Sequence, residues 1–161
     1  MDNIKMFFSM MWFYVTTCFK KYFDFSGRAR RKEYWFFVLF TWIVGNLFSL
    51  AYAILDIPLI DILSNIYAAL VIIPTLAVAF RRVHDIGYSG KYVVAGYVLI
   101  IISALMGLYL LGAYEGMVFQ ILGYAFFIFP LVVILAYFYF FTRDSQPGEN
   151  KWGANPKEIE A

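Results

Sequence analysis

Four stretches of this chain contain no Asp, Glu, Lys, Arg or His: residues 34–55, 62–80, 92–113 and 117–141, which are 22, 19, 22 and 25 residues long. A helix rises about 1.5 Å per residue and the hydrocarbon core of a bilayer is about 30 Å thick, so each stretch is long enough to span. Strands are excluded, because four continuous apolar runs cannot close a barrel and an open sheet edge in lipid leaves backbone unpaired. Water is a poor alternative solvent. Only 15% of the 161 residues are charged and 63% are hydrophobic, whereas soluble domains run near 25% and 45–50%. The sequence therefore predicts an all-α integral membrane protein with four transmembrane helices in two antiparallel hairpins.

The connections agree. Residues 56–61 (DIPLID) and 114–116 (YEG) leave room only for tight turns, while 81–91 form a polar loop with Gly87 and Gly90. Three segments follow: an N-terminal 1–33, a membrane domain 34–141 and a tail 142–161. All thirteen Lys and Arg fall in 1–33, 81–91 and 142–161. The two other loops hold only Asp56, Asp61 and Glu115. The positive-inside rule makes the basic side cytosolic, with both termini there. Tyr34, Trp35, Tyr92, Tyr137 and Tyr139 sit at span ends as interfacial anchors.

The uncharged run 6–19 is too short to span comfortably. It lacks a small-x-small cleavage site and is followed by Lys20 and Lys21. Residues 4–19 read as an amphipathic interfacial helix on the inner leaflet, with Cys18 a passive apolar residue. Within the spans, Asn46 is the deepest strong hydrogen-bonding side chain and is expected to bond across helices. Pro74 and Pro130 are expected to kink the second and fourth spans. Gly96, Gly107, Gly112 and Gly123 permit close helix contact.

Three motifs crowd the basic side: FSGRARRKEYW at 25–35, RRVHDIGYSGK at 81–91 and QPGENKWGANP at 146–156. In the first, Ser26 or Asp24 can cap a helix whose first turn is 28–31. Glu33 gains nothing from anionic lipid and needs a cationic partner. Arg30 is one helical neighbour away, but Arg81 or Arg82 is the better candidate, and a bridge between Glu33 and Arg82 would lock the first hairpin. In the second, the spacings of Arg81 and Arg82 to Asp85 suit helical pairs, so the second-span helix is expected to continue through Asp85, with Gly87 supplying its C-terminal cap. Turn pairs in the third motif predict a tail that folds back over the bundle, with Glu149 meeting an arginine. Ser26-Gly27-Arg28 and Ser89-Gly90-Lys91 each precede a hairpin and hint at a two-hairpin repeat.

Taken together, the patterns F-x-G-R-x-R-R-x-E-Y-W, R-R-x-H-D and G-x-N-x-W-G resemble the DUF805 family of small bacterial inner-membrane proteins, over about Phe23 to Pro156. The resemblance implies a four-span inner-membrane protein, and the family supplies no accepted reaction.

No enzyme template fits. One Cys and one His exclude a metal cluster of the usual spacing, and no phosphate loop, dinucleotide fingerprint or nucleophile elbow is present. No cofactor is expected, and a net charge of +2 gives no footprint for nucleic acid. The leading expectation is a non-enzymatic membrane protein. Arg28, Arg31, Arg81, Arg82 and Lys91 would gather at its cytosolic mouth around anionic lipid head groups or an anionic partner, with Glu33, Asp85, His84 and Glu149 in structural ion pairs. A homo-oligomer or a complex with other membrane proteins is compatible with this. One alternative is an oligomeric transporter or channel component lined by Asn46, Thr75 and Gln120. The other is a membrane-embedded lipid-phosphate enzyme, with His84 as acid/base, Asp85 orienting it and Arg82 holding phosphate.

Overall fold

The structure, a computed structural model, describes residues 2–159; residue 1 and the last two residues of the expected tail, 160–161, lie outside the described residues. Six helices account for most of it: α1 (Asp2–Lys20), α2 (Arg31–Leu55), α3 (Pro58–Asp85), α4 (Lys91–Ala113), α5 (Met117–Thr142) and the short α6 (Pro156–Ile159). Helices α2 to α5 are each long and apolar enough to cross a membrane. α2 and α3 form one antiparallel hairpin, turning at Asp56 and Ile57 with Pro58 opening α3, and α4 and α5 form the other. α1, α3 and α5 finish, and α2 and α4 begin, at the end that carries the three basic motifs.

At this basic end the start of α2 differs from the sequence reading, while α3 ends where the pair spacings and Gly87 predict. α2 starts at Arg31, and its N-cap residue Arg30 makes no side-chain cap. Asp24 instead accepts from the amide and hydroxyl of Ser26, closing a local turn before the helix. α3 runs on to Asp85 because Arg81, Arg82 and Asp85 are buried and paired rather than solvated. It then ends in a Schellman turn: Tyr88 N donates to Val83 O and Gly87 N to His84 O, with Gly87 at φ 88°. Gly27 has φ 73° whereas Gly90 is right-handed helical, so the two Ser-Gly-basic triplets take different conformations.

α1 crosses α2 steeply. Tyr14 stacks on Phe36 and Phe7 meets the same ring edge-on, while Phe19 meets Phe37 and Phe40. Thirteen residues of α1, Phe7 to Phe19, thus meet about two turns of α2, Glu33 to Phe40. Val15 and Cys18 enter a core with Ala29, Phe37 and Val78, while Ile4, Phe8 and Trp12 face outward.

Deleting the amide hydrogen at Pro74, which is fully buried, frees the carbonyl four residues back. That carbonyl, Leu70 O, accepts from the Tyr22 hydroxyl at 2.6 Å. In lipid an unmet carbonyl costs several kcal/mol, so Tyr22 both satisfies α3 and ties the turn after α1 to it.

In the second hairpin, a Cβ on Gly107 would lie 3.1 Å from Gly123 O, and one on Gly96 would enter the Tyr137 ring. Small residues thus bring the α4 and α5 backbones together. Gly112, by contrast, has nothing near it. Asn46 donates to Trp42 O of its own helix at 2.7 Å, not across to a neighbour as expected. The hairpins meet mainly at the basic end, where Ala79, Val83, Val93 and Phe141 form a second core under Tyr34, Trp35 and Tyr137.

Candidate functional site: a buried arginine cluster at the basic end

Three helices finish at this end, and each leaves up to four carbonyls without helical partners and the negative pole of its dipole. The arginines answer that need. Arg82 donates from Nε to Phe141 O at 3.1 Å and from Nη2 to Arg143 O, capping α5. Arg31 adds a bond to Thr142 O at 3.2 Å. Arg81 Nη1 caps the end of α1 through Lys21 O at 3.1 Å and Asp24 O at 2.7 Å. α3's own last carbonyls are met by other groups: Arg81 O by Ala29 N, His84 O by Asn150 Nδ2 and Asp85 O by Gln146 N.

Two carboxylates sit inside the cluster. Glu33 pairs with Arg81, Oε1 to Nη2 at 2.9 Å. The bridge that locks the first hairpin is therefore made by Arg81 and not Arg82. Arg82 faces the other way, where its Nη1 pairs with Asp85 Oδ2. Asp85 Oδ1 takes Arg28 Nε at 3.0 Å, and Oδ2 also accepts from the Ser145 hydroxyl at 2.6 Å. Of the i,i+3 and i,i+4 options for Asp85, the i,i+3 pair with Arg82 is the one formed.

Arg28 has no donor left over. Its five N–H groups meet Asp85 Oδ1, Asp85 O, Gln146 O at 2.6 Å, Gly148 O at 2.7 Å and Gly153 O at 3.2 Å. Four of these are backbone carbonyls, three of them in the tail. The tail folds back as expected, but its anchor is this arginine on its backbone. Glu149 is exposed and takes part in none of the ion pairs among the described residues.

Among the described residues His84 makes no ion pair either. Its Nδ1 lies 3.2 Å from Gly27 O and its Nε2 accepts from Gly90 N at 3.3 Å. A carbonyl only accepts and an amide only donates, so the proton sits on Nδ1 and the ring is neutral. The ring also stacks on Trp152 at 4.5 Å. With both nitrogens on backbone groups and Asp85 turned to the arginines, the side chains of His84 and Asp85 do not act as a pair. Lys91 is exposed at the start of α4, and Arg31 stands at the rim with Asp144 at 3.2 Å. Of the five basic residues singled out, the fold thus gathers Arg28, Arg81 and Arg82 and leaves Arg31 and Lys91 outside them. The polar side chains in the spans do not converge on a path: Thr75 bonds Val71 O of its own helix, and Gln120 is exposed near the start of α5.

Residues 22–154 match the family described as "Protein of unknown function (DUF805)". The chain belongs to the DUF805 family. Among curated relatives it is similar to the inner membrane protein YhaI of Escherichia coli (strain K12), 31% identical over 148 residues, covering 92% of this chain and 97% of that protein. It is also similar to the inner membrane protein YhaH of the same organism, 32% identical over 145 residues, covering 86% and 91%. No solved structure matches. Arg28, Glu33, Arg81, Arg82, Asp85 and the tail carbonyls that hold Arg28 all lie within the part of this DUF805 chain that matches the family, and α1 precedes it. The chain is a multi-pass membrane protein, and its relatives are inner-membrane proteins.

Cys18, at the inner side of α1, was missed as a participant in the cluster. It is fully buried with Sγ 3.8 Å from Glu33 Oε1. Burial, reinforced by the Glu33 carboxylate, pushes its thiol up to about 12. The thiolate is the reactive form, so iodoacetamide at pH 8 is expected to leave Cys18 unmodified in the folded protein and to label it fully once denatured. Equal labelling rates in both states would contradict the packing of α1 described above.

Proposed function

We propose that this protein is a non-enzymatic inner-membrane protein whose basic end faces the cytosol and contacts anionic lipid head groups or an anionic partner. What supports the reading is the division of labour among its cations. Arg28, Arg81 and Arg82 are buried with most of their donors on carboxylates and carbonyls, and so build a rigid platform. Lys5, Lys20, Lys21, Lys32, Lys91 and Lys151 are exposed on it or beside it, with Arg31 at the rim. A protein that docks on a charged surface needs cations of this second kind, each contributing about 1 kcal/mol at an anionic leaflet. The engagement of both His84 nitrogens by backbone groups supports the non-enzymatic half of the reading.

Replacing Lys5, Lys20, Lys32 and Lys91 together by Gln leaves the buried cluster untouched. The variant is expected to insert normally, to keep its melting temperature in detergent, and to bind phosphatidylglycerol at least about a hundredfold more weakly than the parent. Salt should weaken the parent in the same direction. Unchanged lipid binding would remove the proposal. Reporter fusions are expected to place both ends in the cytosol, and an end facing the other compartment would remove the orientation.

A further inference from the structure

A cavity of about 360 Å³ lies between α1, the loop after it and the C-terminal tail, within the 300–1,000 Å³ range of small-ligand sites. Phe13 and Tyr14 of α1 make an apolar wall; Lys21, Arg28 and Glu33 line it on the polar side; residues 152–154 and Pro156 roof it. The cavities within the bundle are lined instead by aliphatic and aromatic side chains.

Charge around this cavity does not balance. Three arginines are buried with two carboxylates. Arg81 matches Glu33, while Arg28 and Arg82 share Asp85. Among the buried side chains of the described residues one positive charge is left over, and of the two arginines that share Asp85, Arg28 is the one lining the cavity. Its five donors are engaged, so it contributes a field, and the exposed ammonium of Lys21 is the donor at the wall. Arg81 stands behind this wall, bonding Lys21 O and Glu33 Oε1, both from residues that line the cavity. Surplus positive charge asks for an acceptor-rich anion, and the aromatic wall asks for something apolar attached to it.

We propose that this cavity binds a phosphate-bearing amphiphile, with its phosphate beside Lys21 and Arg28 and its apolar part along Phe13 and Tyr14. The proposal rests on the reading above for the leaflet that this end faces, and goes beyond it in naming one cavity that uses Lys21 and is distinct from the other exposed lysines.

The test is native mass spectrometry of the full-length protein in detergent, with short-chain phosphatidylglycerol, phosphatidylcholine or inorganic phosphate added separately. One phosphatidylglycerol is expected to stay bound under activation that strips phosphatidylcholine. Ala154→Phe fills the cavity from its roof without changing charge, and Lys21→Met removes the donor. Each is expected to weaken this single adduct at least about tenfold, while Lys32→Gln with Lys91→Gln leaves it in place. Where Ala154→Phe displaces the tail, seen as faster tryptic cleavage, Lys21→Met decides. Retention of phosphate in place of the lipid assigns the same site to a soluble phosphate ester. Full retention of phosphatidylglycerol by both cavity variants overturns the cavity site and leaves the surface reading standing. Loss of the adduct only in the Lys32 and Lys91 variant overturns it equally.

Discussion

Asp85→Ala is expected to cost more stability than any other single substitution in this protein. The side chain is fully buried and receives Arg28 Nε at 3.0 Å, Arg82 Nη1 and the Ser145 hydroxyl at 2.6 Å. Removing it strands two buried guanidinium groups beside each other with no carboxylate between them. Breaking one buried pair by deleting a partner costs about 3–5 kcal/mol, because the remaining charge is left uncompensated. Here two charges are stranded by one deletion, so the upper end of that range applies. For a chain of this length, that is a fall of roughly 10 °C or more in the melting temperature in detergent, with a matching loss of protein from the membrane fraction. Asp85→Asn keeps an acceptor and the shape but loses the charge, and should fall between Ala and the parent. Ser145→Ala removes one hydrogen bond and should cost about 1 kcal/mol. A melting temperature for Asp85→Ala within about 2 °C of the parent would mean that the cluster carries no stability.

Much of this could be read from the sequence, and the residues show where reading stopped. The four spans were legible because lipid tolerates no unpaired charge, so the length of a charge-free run is itself the measurement. Their basic ends were legible in part. Hydropathy alone stops α3 at Phe80, while the Arg-to-Asp85 spacings and Gly87 carry the expected helix through Asp85, where it ends. The start of α2 was placed three residues too early, because Asp24 and Ser26 close a local turn instead of capping the helix. Glu33 was legible as a carboxylate in need of a cation. Which of two adjacent arginines serves it depends on the rotation of α3, since successive residues point about 100° apart on a helix. Arg81 faces α1 and α2, and Arg82 faces α5 and the tail.

The tail contact was legible only in outline. Its turn residues predict order, but its anchor consists of the carbonyls of Gln146, Gly148 and Gly153. Every residue type carries a carbonyl, so nothing in the sequence marks these three. Searching for an ion-pair partner led to Glu149, the one acidic side chain in the motif, which lies exposed. The same blindness hid the reason for the basic motif itself. Arginines at a membrane boundary read as a topology signal and as lipid contacts, while their bonds to the ends of α1 and α5 show only once three helix C-termini are known to meet there.

Arg28→Lys separates geometry from charge, and its expected effect is release of the tail. Lysine keeps the positive charge next to Asp85, so the buried carboxylate remains compensated by Arg82 and by the new ammonium. What it cannot keep is the fork. A guanidinium presents five donors in one plane, and Arg28 engages all five across Asp85, Gln146, Gly148 and Gly153. An ammonium offers three donors from a single point, and its shorter reach favours Asp85 over the tail. Hydrogen bonds with a charged partner contribute about 1.5–3 kcal/mol each. Losing two of the three tail carbonyls therefore removes at least about 3 kcal/mol from tail docking. The remaining tail contacts include Ser145 with Asp85, Gln146 N with Asp85 O, Asn150 Nδ2 with His84 O, and Trp152 stacked on His84, and several of them form only once the backbone is in place. Tryptic cleavage after Lys151 and Lys157 should accelerate by roughly a hundredfold, which is what about 3 kcal/mol of lost docking means when opening precedes cutting. The four spans should stay folded, because Arg81 with Glu33 and Arg82 with Asp85 are left intact. A variant that melts like the parent and yet loses its tail to trypsin would identify Arg28 as the clasp of the tail. Cleavage at the parental rate would show instead that the stack on His84 and the turn from Asn150 to Gly153 hold the tail without it.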